Sequence, residues 1–211
     1  MQKLVVIGAG GLGREVAWVI ERINSVRPTF ELMGFLDDDS SLHDTTICGA
    51  KVLGSSDDIP KGASAICAVG NNRIRYDKTR NLIARGIRLA TVIDPCASVA
   101  PSAKIGAGSY IGIGATVSVD TELGASTIVN HHACIGHDVK SDDACQFCPG
   151  CCISGNCRFG KRVLVATLSG TIPGKRAGDD AVIGAGVVAY RDLDEGTVLA
   201  NLNGIRNTAR Q

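Results

Sequence analysis

Val129-Asn-His-His-Ala-Cys-Ile135-Gly-His-Asp-Val-Lys-Ser141-Asp-Asp-Ala-Cys-Gln-Phe147-Cys-Pro-Gly-Cys-Cys-Ile153 decides the fold, because one kind of side chain returns at every sixth residue. Counting outward by sixes gives Leu123, Val117, Ile111, Ile105, Val99 and Ile93 on one side, and Phe159, Val165, Thr171, Ala177 and Ile183 on the other. Only Ser141 and Thr171 break the apolar series. A second series runs four residues behind the first, from Ala97 and Ala103 through Cys145, Cys151 and Cys157 to Ala181 and Val187, and Lys175 is its one large member. Residues two apart on a strand share a face, so each small residue and the apolar one that follows it point inward together. Glycines and polar residues between them make corners. Two coupled channels of one short period describe a solenoid, in which each repeat buries its face on the next.

The hexapeptide pattern resembles the left-handed parallel β-helix, in which three hexads close one triangular coil. The hexads from Ile93 through Ile183 then make five coils and one further face, and residues eighteen apart stack at the ~4.8 Å spacing of paired strands. Such helices associate as trimers with ligand sites in the grooves between prisms, so the resemblance implies a homotrimer.

Upstream of Ile93 the pattern changes. Lys3 to Ile7 is an aliphatic run, followed by a glycine cluster and by Arg14 to Ile23, with Val16, Val19, Ile20 and Ile23 at helical spacing. Leu32 to Leu36 ends in Asp37, Asp38 and Asp39, and Ala65 to Val69 ends in Gly70-Asn71-Asn72. Arg75 to Arg85 reads as a helix stopped by Gly86, and Ile87 to Ile93 as the last strand. This alternation predicts a small parallel sheet with helices on its faces. The expected fold class is therefore an α/β Rossmann-like N-terminal domain over residues 1–90, joined to an all-β left-handed parallel β-helix and tail over 91–211.

Composition narrows the function. The 22 basic and 21 acidic side chains leave a net charge of +1, which argues against nucleic-acid partners. No apolar run reaches the ~18 residues of a membrane span, and Lys3 to Ile7 is too short for an export signal, so a soluble cytoplasmic protein is expected. Nine cysteines, an odd number without an export segment, point to reduced thiols.

The two halves in this order resemble the NeuD/PglD type of bacterial sugar acetyltransferase. The matching pieces are Gly8-Ala9-Gly10-Gly11-Leu12-Gly13-Arg14-Glu15, Phe35-Leu36-Asp37-Asp38, Gly70-Asn71-Asn72-Arg73-Ile74-Arg75, and Val129-Asn130 through Ile135-Gly136-His137-Asp138. The resemblance implies an acetyl-coenzyme A cosubstrate and a nucleotide-activated amino sugar as acceptor. It makes His137 the general base, with Asp138 beside it. It also gives Gly155, one coil beyond His137, a backbone N–H for the thioester oxygen, and places Asn130 near the acceptor. A neutral imidazole suits proton removal from an amine attacking a thioester, and a paired carboxylate would set its tautomer. The opening glycines, Gly10 and Gly11, fit a turn that presents N–H groups to phosphate. Asp37, Asp38, Gly70, Asn71 and Asn72 are the other expected sugar-nucleotide contacts. Gln146 stands where relatives often carry a second histidine, and Leu199-Ala200-Asn201-Leu202-Asn203-Gly204 departs from the family's usual ending.

Other readings attach to the same residues. The acceptor could be the hydroxyl of a sialic acid or related sugar. His132 and His137, five apart, have the spacing of a zinc hydratase held between subunits, although a third imidazole is missing. A non-catalytic trimeric module is the remaining class. Cys148-x-x-Cys151 has metal-ligand spacing, but Cys145, Cys151 and Cys157 occupy the small inward position, where a thiol packs as a small apolar group, so no metal is assigned. Cys134 and Cys152, eighteen apart, are expected to stack.

Overall fold

The computed structural model describes residues 1–200; residues 201–204 of the unusual ending lie outside the described residues. The chain opens with strand β1 (Gln2–Ile7), helix α1 (Gly11–Val26) and strand β2 (Phe30–Leu36). A short antiparallel pair follows, β3 (Thr46–Ile47) with β4 (Ala50–Lys51), and then strand β5 (Ser64–Cys67) and helix α2 (Asn72–Ala84). The order β2-β1-β5, all parallel, is the small sheet expected from the alternation. Helix α1 buries Val16, Val19 and Ile20 against it. Gly13 lets the first turn of α1 close on the Gly8 carbonyl, which a Cβ would strike. Asn71 caps α2, its side chain accepting from the Ile74 N–H.

The stretch Ile87 to Ile93 is not one strand of this sheet. Leu89 bridges to Ala65, whereas Val92–Ile93 pairs with Tyr110–Ile111 and begins the solenoid. The reason is burial on two sides: Val92 is sealed between α1 and the first coil.

From there the chain is a left-handed parallel β-helix of three sheets with six, five and seven strands. Register is eighteen residues, as in Thr116 with Cys134, Cys134 with Cys152, and Ile135 with Ile153. The last coil is shorter, since Ala177 bridges to Leu193 and Ile183 pairs with Leu199. Both expected inward channels fill the interior, where Val139, Cys145, Phe147, Cys151, Cys157 and Val165 are fully buried. Phe147 and Phe159 meet edge to face at 5.3 Å. Of the two polar exceptions, Thr171 accepts through Oγ1 from the Ser154 N–H, whereas the Ser141 hydroxyl has no partner among the described residues.

Corners follow a rule of their own. Every sixth residue from Gly108 to Gly186 has a positive φ, between 54° and 75°. His132, Asp138 and Leu168 occupy such positions at a cost of ~1–2 kcal/mol each, offset by backbone bonds to the coil below, such as Asp138 N–H to Val119 O at 3.1 Å.

The two halves are fused. Val92, Tyr110 and Ile128, on the outer side of one solenoid face, belong to the apolar cluster of α1. Arg22 pairs with the buried Asp94 at 2.7 Å. Arg75 is fully buried; its guanidinium donates to the Val69, Ser126 and Ala144 carbonyls, and burial pushes its pKa down to about 10. Among the described residues no helix is long and apolar enough to cross a membrane.

Candidate active site

His137 and Asp138 form the corner that follows the Cys134–Ile135 strand. The left-handed conformation of Asp138 (φ 58°) turns the chain so that neighbouring side chains meet, and Nδ1 of His137 lies 2.8 Å from the Asp138 carboxylate. In a neutral ring that contact favours the tautomer with its proton on Nδ1 and its lone pair on Nε2. The other edge of the ring lies over Gly155 in the next coil: a Cβ built there would be 2.5 Å from both Cε1 and Nε2. Only a residue without a side chain fits beneath this ring. Among the described residues the Gly155 N–H has no acceptor, while its carbonyl receives the Gly174 N–H at 3.0 Å. The site is open, with the His137 and Asp138 side chains 56% and 49% exposed. A partly solvated imidazole and an N–H without an acceptor are the kinds of group that can take a proton and hold a developing oxyanion.

Asn130 is elsewhere. It is nearly buried at the preceding corner, between the Val129 and Ile135 faces, where its side chain accepts the His131 N–H at 2.7 Å. His132 shares that corner and rests on Gly114, so it is separated from His137 by a full face of the prism. His131 approaches Glu15 of α1 at 3.4 Å. Gln146 contacts Cys148 and Arg75. Among the described residues no three His, Cys, Asp or Glu side chains converge as metal ligands.

The N-terminal half holds a cavity of about 470 Å³ at the carboxyl ends of β1, β2 and β5, lined by Gly10, Gly11, Leu12, Asp37, Asp38 and Gly70, with Ile74 and Lys78 across from them. Nothing lies within contact of a Cβ built on Gly10, Gly11 or Gly70, so these backbones are bare toward open space. Gly10 and Gly11 start α1, whose N-terminus favours an anion. Asp37 accepts the Ala9 N–H at 2.7 Å and so shapes the glycine turn. Asp38 pairs with Lys78, and that contact, with help from Ser56, holds its pKa down to about 2. Asn71 and Asn72 are not in the lining. Asn71 is the cap of α2, and Asn72 donates to the Arg162 and Val163 carbonyls of the solenoid. Lys78 was not among the sequence candidates; its signal is the four-residue spacing from Ile74, which puts both on one face of α2.

Comparison with known proteins fits this geometry. The PglD N-terminal domain family matches residues 3–82. No curated protein matches the chain. Among solved structures, the acetyltransferase domain of PglB from Neisseria gonorrhoeae, in complex with acetyl coenzyme A, is 32% identical with a TM-score of 0.85, over 95% of this chain and 96% of that one. A second structure of that domain is 34% identical over 95% and 97% of the two chains, with a TM-score of 0.85. The chain belongs to the NeuD/PglD type of hexapeptide-repeat sugar acetyltransferases. Another such structure is a mutant of perosamine N-acetyltransferase from Caulobacter crescentus, in complex with CoA and GDP-perosamine. It is 27% identical with a TM-score of 0.86, over 94% of this chain and 93% of that one. In this NeuD/PglD-type chain the bare glycine turn borders the N-terminal cavity and the His137 ring lies over Gly155.

Proposed function

We propose that this chain transfers acetyl from acetyl-coenzyme A directly to the amine of a nucleotide-linked amino sugar. The observation that carries the assignment is the placement of the His137 ring over Gly155 with Asp138 on its far nitrogen. Nε2 of His137 takes the proton as the sugar nitrogen attacks the thioester carbonyl. Asp138 keeps the ring in the accepting tautomer and favours the imidazolium that forms. The Gly155 N–H donates to the oxyanion of the tetrahedral intermediate. Collapse of that intermediate expels the coenzyme A thiolate. The N-terminal cavity holds the nucleotide, its diphosphate at the start of α1 and within reach of Lys78, while Asp37 and Asp38 border the nucleoside.

A homotrimer completes the reading. Asn130 and His137 occupy successive corners of one prism, and side-by-side association is what would bring an Asn130 corner to a His137 corner. Nine cysteines, all free, suit the reducing cytoplasm. The test is incubation with acetyl-coenzyme A and UDP-, GDP- or TDP-linked amino sugars, read by mass spectrometry. Acetylation of one class, lost in His137→Ala while coenzyme A still binds, is expected. A His137→Ala enzyme of near-normal activity overturns the assignment.

A further inference from the structure

The cysteines divide into two kinds. Cys67, Cys145, Cys151 and Cys157 are buried, and burial pushes the first two up to about 11 and about 12, as befits inert packing groups. Cys134 and Cys152 are exposed and are direct partners in adjacent parallel strands. Their sulfurs are close enough that Cys152, after burial itself, is the main influence raising the Cys134 thiol. Neither is needed to fill the core, since both point outward from a coil whose inward neighbours, Ala133 and Ile135, are fully buried. Cys48 and Cys96, the other exposed cysteines, have no cysteine partner in strand register.

We propose that Cys134 and Cys152 form a dithiol site that two-electron oxidants convert to a disulfide within one chain. With hydrogen peroxide as oxidant, one thiolate attacks the peroxide oxygen, giving a sulfenic acid and water. The second thiolate then displaces hydroxide from that sulfur, which leaves as a second water. Two thiols lose two protons and two electrons, and one peroxide is reduced to two waters. An added dithiol reverses the step by exchange. The ~4.8 Å spacing of paired strands falls in the range of disulfide Cα separations, but the Cβ atoms of a disulfide lie ~3.8 Å apart. Closure therefore draws the two strands together locally.

Those strands lead directly to His137 and Gly155, each three residues beyond its cysteine. The ring already fills the space that a Gly155 Cβ would take, so closure tightens the crevice from which the thioester must react. This consequence rests on the acetyl transfer proposed above; the disulfide itself does not.

The full chain is treated with hydrogen peroxide, the remaining thiols are alkylated, and disulfide-linked peptides are mapped, with cleavage at Lys140 separating the two cysteines. A Cys134–Cys152 link, reversed by dithiothreitol and absent from Cys134→Ser and from Cys152→Ser, is expected, and mixed isotope-labelled chains should show it to be within one chain. No link, a link between chains, or one that uses Cys148 instead overturns the site. Activity is read separately. The reduced enzyme and the reduced Cys134→Ser variant should turn over alike. Oxidation should slow only the enzyme with both cysteines, by about tenfold or more, because displacements on the order of 1 Å at a reacting centre cost up to ~100-fold. Unchanged turnover in a fully cross-linked sample overturns the coupling to the crevice. An inactive reduced enzyme instead counts against the acetyl-transfer assignment and leaves the mapped link to decide the site.

Discussion

Gly155→Ala tests the crevice with a single methyl group. A Cβ at this position would lie 2.5 Å from Cε1 and Nε2 of His137 and 3.0 Å from Cδ2, whereas carbon contacts are comfortable at ~3.5–4.0 Å. The ring must retreat by about 1 Å, and being 56% exposed it can do so by turning into solvent. Misplacement of that size costs up to ~100-fold in turnover. The backbone gives no reason for a loss of stability, because Gly155 is not among the residues with positive φ. Replacing glycine at a compatible position raises stability by ~0.4–1 kcal/mol through the unfolded chain. The expected signature is thus kcat lowered by about 100-fold, KM for the sugar nucleotide unchanged and Tm within a few degrees of the parent. Steady-state acetylation with mass-spectrometric readout and a thermal melt measure these quantities. A variant retaining a third or more of the parent kcat refutes the reasoning, since His137 would then not need its position over Gly155.

Four further outcomes follow from the same contacts. Asp138→Asn keeps a residue type that tolerates the left-handed corner but removes the charge, so turnover should fall by at least about tenfold, a part of the ~10²–10⁴ that general-base catalysis contributes, with coenzyme A affinity retained by calorimetry. Lys78→Met should weaken UDP or GDP binding by roughly 10- to 100-fold, the equivalent of one charged hydrogen bond of ~1.5–3 kcal/mol, without changing coenzyme A binding. Arg75→Met strands the Val69, Ser126 and Ala144 carbonyls at about 1–3 kcal/mol each, and a fall in Tm of at least about 6 °C is expected by calorimetry. Asp38, held by Lys78 at a pKa of about 2 against an ordinary 3.8, adds stability that is complete above the ordinary value and is lost as pH falls through about 2. Asp38→Asn should therefore flatten that part of the acid limb in a Tm-against-pH series, and an unchanged limb would show that the pair does not stabilise the fold.

Residues 93–183 were legible because a β-helix is a local code. Each coil repeats the same choice of apolar, small and corner residues, so the register that stacks Cys134 on Cys152 and His137 on Gly155 could be counted before any coordinate was known. Helix α1 was legible for the same reason, its apolar residues recurring at helical spacing. The junction was less so. Leu89 and Val92 look like one strand because both are apolar, and only the competing surfaces of the sheet and the first coil divide them. Arg75 was legible only as the start of a helix and part of a matching piece, since nothing local says that carbonyls from the loop after β5 and from two solenoid corners will surround it.

Asn71 and Asn72 show the limit on the site itself. A polar pair after a strand is a reasonable ligand contact, yet their side chains are occupied by the cap of α2 and by solenoid carbonyls ninety residues away. What the amino-acid order determined alone was everything set by repetition: the prism, its register and the meeting of an imidazole with a bare glycine. What the tertiary structure decided was everything set by encounter between unlike parts: which polar groups face open space, which cation borders the cavity, and which corners stand apart. Periodic contacts are written into spacing, whereas contacts between two different surfaces exist only once both have folded.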